Sequence, residues 1–277
     1  MLLDGVMLLW FIFVGLSLLF VVIDIRSTPE SPVLKWGFVL ITAYTGPFGA
    51  FLYVLGCREP FPGMHEAYTA VRWRQVFGST MHCVAGDGVG ILAGAVIESY
   101  LALSQPMGIA LEYVLGFGFG WTIFQALFMR SVFGGSYRKS LRKTFLAEFF
   151  SMNILMAAML PVVAFGRLAV GTILMPRMPE FWFVMSMALL VGFVAAFPMN
   201  WWLVARGLKH GMMTVRPGAP AMSMTESAPM PMSTKTAAPG EHAGDPQVTR
   251  NALLRMALLS VSVLAIGVGL ALFLSKG

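Results

Sequence analysis

Apolar residues run along this chain in blocks of about twenty, with polar residues gathered between them. Seven blocks stand out, at about 6–25, 34–55, 83–103, 108–130, 145–165, 182–204 and 252–274. In helical form, about 20 apolar residues cover the ~30 Å hydrocarbon core of a bilayer. None of the blocks alternates as a barrel strand would, so each predicts a transmembrane helix whose backbone is satisfied within the segment. The first block carries only Asp4 as an early charge and ends in Ile23-Asp24-Ile25-Arg26 without a small-residue cleavage site. It reads as a retained helix, not as a signal peptide. The expected fold class is an all-α polytopic bundle. Its parts are a six-helix membrane domain over 1–207, a flexible Pro/Met-rich linker over 208–250 and a C-terminal transmembrane helix over 251–277.

Composition removes the soluble alternatives. Hydrophobic residues make up 57% of the chain and charged residues 12%, against about 25% charged in ordinary soluble domains. A mean hydropathy of +0.76 in 30.2 kDa would expose far more apolar surface than a soluble monomer tolerates. The few charges are unevenly placed. If all seven blocks cross, fourteen Lys and Arg lie on the side of the N-terminus and five on the other. The positive-inside rule then puts the N-terminus in the cytoplasm and the C-terminus in the periplasm. The same bias accounts for the pI of 9.6, so no nucleic-acid partner is expected. Residues 136–146 put Tyr137, Leu141 and Phe145 on one stripe among four cations. Such a basic amphipathic turn suits anionic headgroups, and the bilayer is the partner expected. No protein partner can be named.

Ionisable groups at the centre of a span cost roughly 2.5–3.5 kcal/mol each on insertion scales unless paired or hydrated, so they mark functional positions. Asp87 and Glu98 stand eleven residues apart on the third block, close to three helical turns, and so share a face. Glu148 and Asn153 mark the fifth block, Gln125 the fourth and Asn200 the sixth, while Glu112 is a further intramembrane carboxyl. Asp87, Glu98, Glu148, Asn153, Asn200 and Gln125 are the candidates to line a polar cavity. The amides equally suit plain interhelical hydrogen bonds. Gly86, Gly90 and Gly94 form a small-xxx-small ridge that admits a neighbouring helix closely.

Cys57, His65, His82 and Cys83 flank one loop and supply thiolate and imidazole ligands, which suit zinc or monovalent copper. Their spacing is not one of the familiar finger patterns. Methionine is abundant at 21 residues, and Met222-Ser-Met224 and Met230-Pro-Met232 in the linker could hold copper. Methionine is also an adaptable apolar filler. A catalytic reading finds no support: there is no His-Glu-x-x-His, no nucleophile motif and no phosphate-cradling glycine loop.

Several motifs occur in series. They are Cys57-Arg58-Glu59-Pro60, His82-Cys83-Val84-Ala85-Gly86-Asp87, Phe119-Gly120-Trp121-Thr122, Ala147-Glu148-Phe149-Phe150-Ser151-Met152-Asn153 and Pro198-Met199-Asn200-Trp201-Trp202-Leu203. This series resembles an uncharacterised family of bacterial polytopic membrane proteins, a domain-of-unknown-function family, over most of residues 1–210. The resemblance implies a bacterial inner-membrane location and brings no activity with it. The reading that follows is a small transporter or permease-like protein moving a cation, with a soft metal ion such as copper the first cargo to test. In it, the carboxylates carry the cargo and Cys57, His65, His82 and Cys83 guard the cytoplasmic mouth. The alternative is a non-catalytic accessory or assembly subunit of a respiratory or metalloenzyme complex.

Overall fold

The computed structural model describes residues 2–101, 103–130, 133–171, 174–211 and 248–275. Among them all regular structure is helical. The elements are α1 (Leu2–Asp24), α2 (Pro32–Thr45), α3 (Pro47–Gly56), α4 (His65–Thr69), α5 (Arg72–Leu101), α6 (Gln105–Phe119), a π-helix (Gly120–Leu127) continuing α6, α7 (Tyr137–Val170), α8 (Pro179–Ala205) and α9 (Arg250–Leu274). Local chemistry sets the starts. Ser31, Ser136 and Thr249 accept the N–H of Leu34, Lys139 and Ala252, which satisfies otherwise orphaned donors. Proline opens α2, α3, α6 and α8, where its missing N–H leaves no bond unmade.

Six helices are long and apolar enough to cross a membrane: Leu3–Asp24, Arg72–Leu101, Gln105–Leu127, Tyr137–Val170, Pro179–Ala205 and Arg250–Leu274. The protein is an all-α membrane bundle. The block at 34–55, expected as a seventh crossing, is not one helix. It breaks at Gly46, whose φ of 57° and ψ of −128° are open to glycine and strained for other residues. A continuous helix would hold Phe38 and Tyr53 roughly 22 Å apart, yet their ring centroids are 5.5 Å apart. A Cβ on Gly49 would fall 2.6 Å from Thr42 Cα, so α2 and α3 double back on each other as a hairpin.

Both feet of this hairpin sit at one end of the bundle. The Tyr53 hydroxyl lies 2.7 Å from both Asp24 Oδ2 and Thr28 Oγ1, and Arg58 Nε donates to Asp24 Oδ2 at 2.9 Å. The tip reaches the interior. Gly46 abuts Val14 and Trp10 of α1, and the Tyr44 hydroxyl donates to Ala85 O, midway along α5, at 3.4 Å. At about 21 and 15 Å, neither helix could cross a bilayer alone. The hairpin re-enters from the face it leaves.

Losing one crossing changes the sidedness. The start of α1 and the end of α9 now share one end of the bundle. Trp10 packs edge-on to Phe183, near the start of α8, and Ser275 Oγ donates to Gln105 Oε1, at the start of α6, at 2.7 Å. The expectation of termini on opposite faces had counted the hairpin as a span. The cations redistribute with it. Arg26 and Lys35 join Arg58, Arg72, Arg74, those of 130–143, Arg206, Lys209, Arg250 and Arg255 at the end that carries the hairpin feet. Among described residues only Arg167 and Arg177 remain at the other. The tracts with Met222, Met224, Met230 and Met232, and most of the expected linker, lie outside the described residues.

α5 is the central helix, packed against α2, α6, the π-helix, α7 and α8. α1 is the opposite case, with Leu8, Leu16, Leu19 and Ile23 exposed as a lipid-facing helix requires. α9, read from sequence as tethered to the body, lies along α7. A Cβ on Gly267 would fall 2.6 Å from Ala157 Cα. The stripe at 136–146 begins α7, and part of it packs on protein: the Tyr137 hydroxyl donates to Thr122 O at 3.0 Å, and Phe145 stands edge-on to Trp121.

Candidate functional site

The densest polar cluster lies at the middle of the bundle, on side chains that are fully buried. α5 contributes Cys83 and, one turn on, Asp87; α7 contributes Glu148 and Ser151; α8 contributes Asn200. Lys209 comes from the segment after α8, which folds back so that Gly211 packs on Gln75. Cys83 Sγ donates to Glu148 Oε2 at 2.8 Å. Lys209 Nζ donates to Cys83 Sγ and, at 2.6 Å, to Asn200 Oδ1, and it lies 3.8 Å from Glu148 Oε2. Asn200 Nδ2 in turn donates to Ser151 Oγ at 2.9 Å and to Ala196 O at 3.0 Å. Burial alone would favour the neutral amine of Lys209. The neighbouring Cys83, Glu148 and Asp87 more than offset this and raise its pKa above the ordinary lysine value.

The Asp87 and Glu148 carboxyl groups face each other across Gly120, the first residue of the π-helix. A Cβ there would collide with Asp87 Oδ1 and lie 2.9 Å from Glu148 Oε1. Apart from the hydrogen-bonding reach of the two carboxyl groups to each other, both Asp87 oxygens and Glu148 Oε1 lack a partner among described residues. Buried polar atoms are rarely left so. The π-helix brings this glycine face against the carboxylates, and π-helical turns are frequent at functional sites. The glycines of α5 let that wall come close. A Cβ on Gly86 would fall 2.6 Å from Phe124 Cγ, one on Gly94 2.8 Å from Glu112 Cα, and one on Gly90 would overlap the Leu115 carbonyl.

The remaining residues singled out from sequence go elsewhere. His82 lies against Phe124 and Phe128, with Gln125 the polar side chain beside its ring. Asn153 is a strut: it accepts from the Tyr113 hydroxyl at 2.6 Å and donates to Ser260 Oγ at 3.2 Å, tying α6 and α9 to α7. Glu98 does not share a cavity with Asp87. It lies at the far end of α5, 3.8 Å from Arg167 Nη2, and with Glu112 and Arg167 lines a cleft of about 920 Å³. Eleven residues of helix separate the two carboxylates by roughly 16 Å, and Ile91 and Met152, packed at Gly116, stand between.

The four expected metal ligands divide. Cys83 is engaged by Glu148 and Lys209, and His82 by aromatic rings. Cys57 and His65 meet a residue the sequence did not suggest, Glu30, and the three ligand atoms lie within 4.8 Å of one another. Lys209 was the other omission. In the sequence it is one more basic residue after a span, and only the chain's return into the bundle sets it among carboxylates.

Residues 72–209 match the family described as Domain of unknown function (DUF4396), consistent with a chain of an uncharacterised family. The match opens on α5 and ends on Lys209, so it contains the whole central cluster, whereas Glu30, Cys57 and His65 precede it. No curated protein and no solved structure matches the chain.

Proposed function

We propose that this membrane protein moves protons, or a small cation in exchange for them, through the Asp87–Glu148 pair. The observation that carries the reading is the pair itself: two facing carboxyl groups, fully buried, within hydrogen-bonding reach of each other, with no other donor at three of their oxygens among described residues and one lysine beside them. A single ammonium balances one carboxylate. Two bare carboxylates within hydrogen-bonding reach of each other would repel by several kcal/mol, since unit charges at about 4 Å interact by about 4 kcal/mol at an effective dielectric of 20, so the second carboxyl is set to hold and release a proton. Intramembrane acids in such arrangements serve as proton relays.

Two features of the surroundings favour passage over simple gluing. The acidic cleft at Glu98 and Glu112 lies further along the same central helix, and the apolar side chains of Ile91 and Met152, packed at Gly116, stand between it and the pair. A half-crossing hairpin reaches the middle of α5, and backbone that stops at such depth is tolerated where protein or water covers it. Asn153, in contrast, is fully used as a strut and has no part in transfer. Copper is the weaker cargo, because the Lys209 ammonium occupies the place beside Cys83 where a soft cation would bind.

The excess of Lys and Arg at the end with the hairpin feet makes that end cytoplasmic by the positive-inside rule. Lys209 then closes the cytoplasmic side of the pair, and the Glu98–Glu112 cleft opens outwards. A bacterial inner membrane is the location this reading takes. Proteoliposomes test the transport. With an imposed potassium-diffusion potential and a pH dye inside, wild type acidifies or alkalinises the lumen. Asp87→Asn and Glu148→Gln abolish the flux while remaining monodisperse in detergent. A wild type that moves no protons under either a potential or a pH gradient, or variants that match wild type, would overturn the proposal.

A further inference from the structure

The base of the hairpin carries a second cluster, with different chemistry. Glu30 stands two residues before α2, Cys57 directly follows α3, and His65 opens α4. All three are buried, with one ligand atom of each within 4.8 Å of the others. His65 Nε2 and Glu30 Oε1 are 2.9 Å apart. Glu30 Oε2 accepts the Ser31 N–H at 3.2 Å. His65 Nδ1 is buried with no hydrogen-bond partner among the described residues. A hydrogen-bonded His–Glu pair alone explains neither that bare nitrogen nor a thiol held against it.

We propose that Glu30, Cys57 and His65 bind a divalent zinc-class cation that clamps the two feet of the hairpin to α4. The donor set selects the metal. Thiolate and imidazole favour zinc or monovalent copper, while a carboxylate favours zinc over copper. Charge agrees: a thiolate, a carboxylate and a neutral imidazole cancel a dication, which a buried site requires. Size agrees as well. A tetrahedral ion with bonds of about 2.0–2.3 Å sets its ligand atoms roughly 3.3–3.8 Å apart, between the 2.9 Å of the His65–Glu30 contact and the 4.8 Å within which all three atoms lie, so only small side-chain shifts are needed. Water completes the fourth position. Binding converts the Cys57 thiol to thiolate and releases its proton to solvent.

The clamp has a mechanical consequence. Glu30 and Cys57 bracket the hairpin, and its tip touches α5 at Ala85 and Gly88 through Tyr44, one residue from Asp87. Fixing the feet fixes the tip. The site stands apart from the carboxylate pair and does not depend on proton transport.

The test uses the purified full chain in detergent. Co2+ titrated into the metal-free protein gives a thiolate-to-cobalt charge-transfer band in the near ultraviolet and visible bands of tetrahedral intensity, saturating at one equivalent. Zn2+ displaces it. Cys57→Ser loses the charge-transfer band and His65→Ala weakens Co2+ affinity at least tenfold, while Cys83→Ser keeps both signals. The wild-type titration does not depend on the folding of any variant. Absence of a thiolate band in wild type, or its loss in Cys83→Ser with retention in Cys57→Ser, overturns the proposal.

Discussion

Removing the Lys209 charge probes the central cluster most directly. In Lys209→Met the chain keeps a similar length and apolar stem, but Glu148 Oε2 loses the ammonium 3.8 Å away and Asn200 Oδ1 loses its 2.6 Å donor. Cys83 remains as a hydrogen-bond donor to Glu148. Breaking a buried pair by deleting one partner costs about 3–5 kcal/mol, because the other charge is left uncompensated. Thermal unfolding in mild detergent then drops by at least about 6 °C, taking roughly 2 °C per kcal/mol for a chain of this size.

The double variant Lys209→Met/Glu148→Gln is the decisive arm. It removes the stranded charge, so it recovers much of the loss, with a coupling of about 0.5–3 kcal/mol between the two sites. The pH dependence has a definite sign. The folded pKa of Lys209 is raised, so its contribution is full below the unfolded lysine value and is lost as pH rises through the folded one. The gap between wild type and Lys209→Met therefore holds through neutral pH and closes only under strongly alkaline conditions. A single variant within about 0.5 kcal/mol of wild type, the usual size of a surface change, or a double variant equal to the sum of the singles, would refute the assignment of Lys209 as the countercharge.

Other expectations follow from the same contacts. Gly90→Ala puts a Cβ into the Leu115 carbonyl and should cost at least about 1–3 kcal/mol by overpacking. Gly118→Ala meets nothing within 4 Å and should be neutral or gain up to about 1 kcal/mol of helix propensity; equal melting shifts for the two would contradict the close α5–α6 seam. Asn153→Leu removes bonds to Tyr113 and Ser260 and should destabilise by about 0.6–2 kcal/mol, read as a lower midpoint in detergent unfolding. For the topology, an impermeant maleimide on intact cells or oriented vesicles should label Gly5→Cys and Ser275→Cys from one side and Lys139→Cys from the other. Labelling of Gly5→Cys and Ser275→Cys from opposite sides would restore a seventh crossing.

Much of the site was legible as single residues and little of it as an arrangement. Asp87, Glu148 and Asn200 draw attention because polar groups are expensive in an apolar helix, whatever surrounds them. Helical spacing then paired Asp87 with Glu98 on one face. A shared face does not place two groups at one depth, and eleven residues of helix put roughly 16 Å between them. Cys57 and Cys83 look like partners because both flank one loop. The hairpin takes Cys57 to its own foot, and α5 carries Cys83 inwards to Glu148.

Length and apolarity alone determined that this chain is a helical membrane protein with a strong charge asymmetry, because the cost of bare backbone and charge in hydrocarbon leaves no other solution. Tertiary structure decided the rest. Whether 34–55 crosses or turns back depends on one glycine conformation and on what Gly46 and Gly49 pack against, which hydropathy does not register. That turn set the ends of α1 and α9 on one side. It also brought Glu30 to Cys57 and His65, while the return of the chain after α8 carried Lys209 to the carboxylates. Contacts between distant segments are set by packing, and the local composition of a segment carries no record of the partner it will meet.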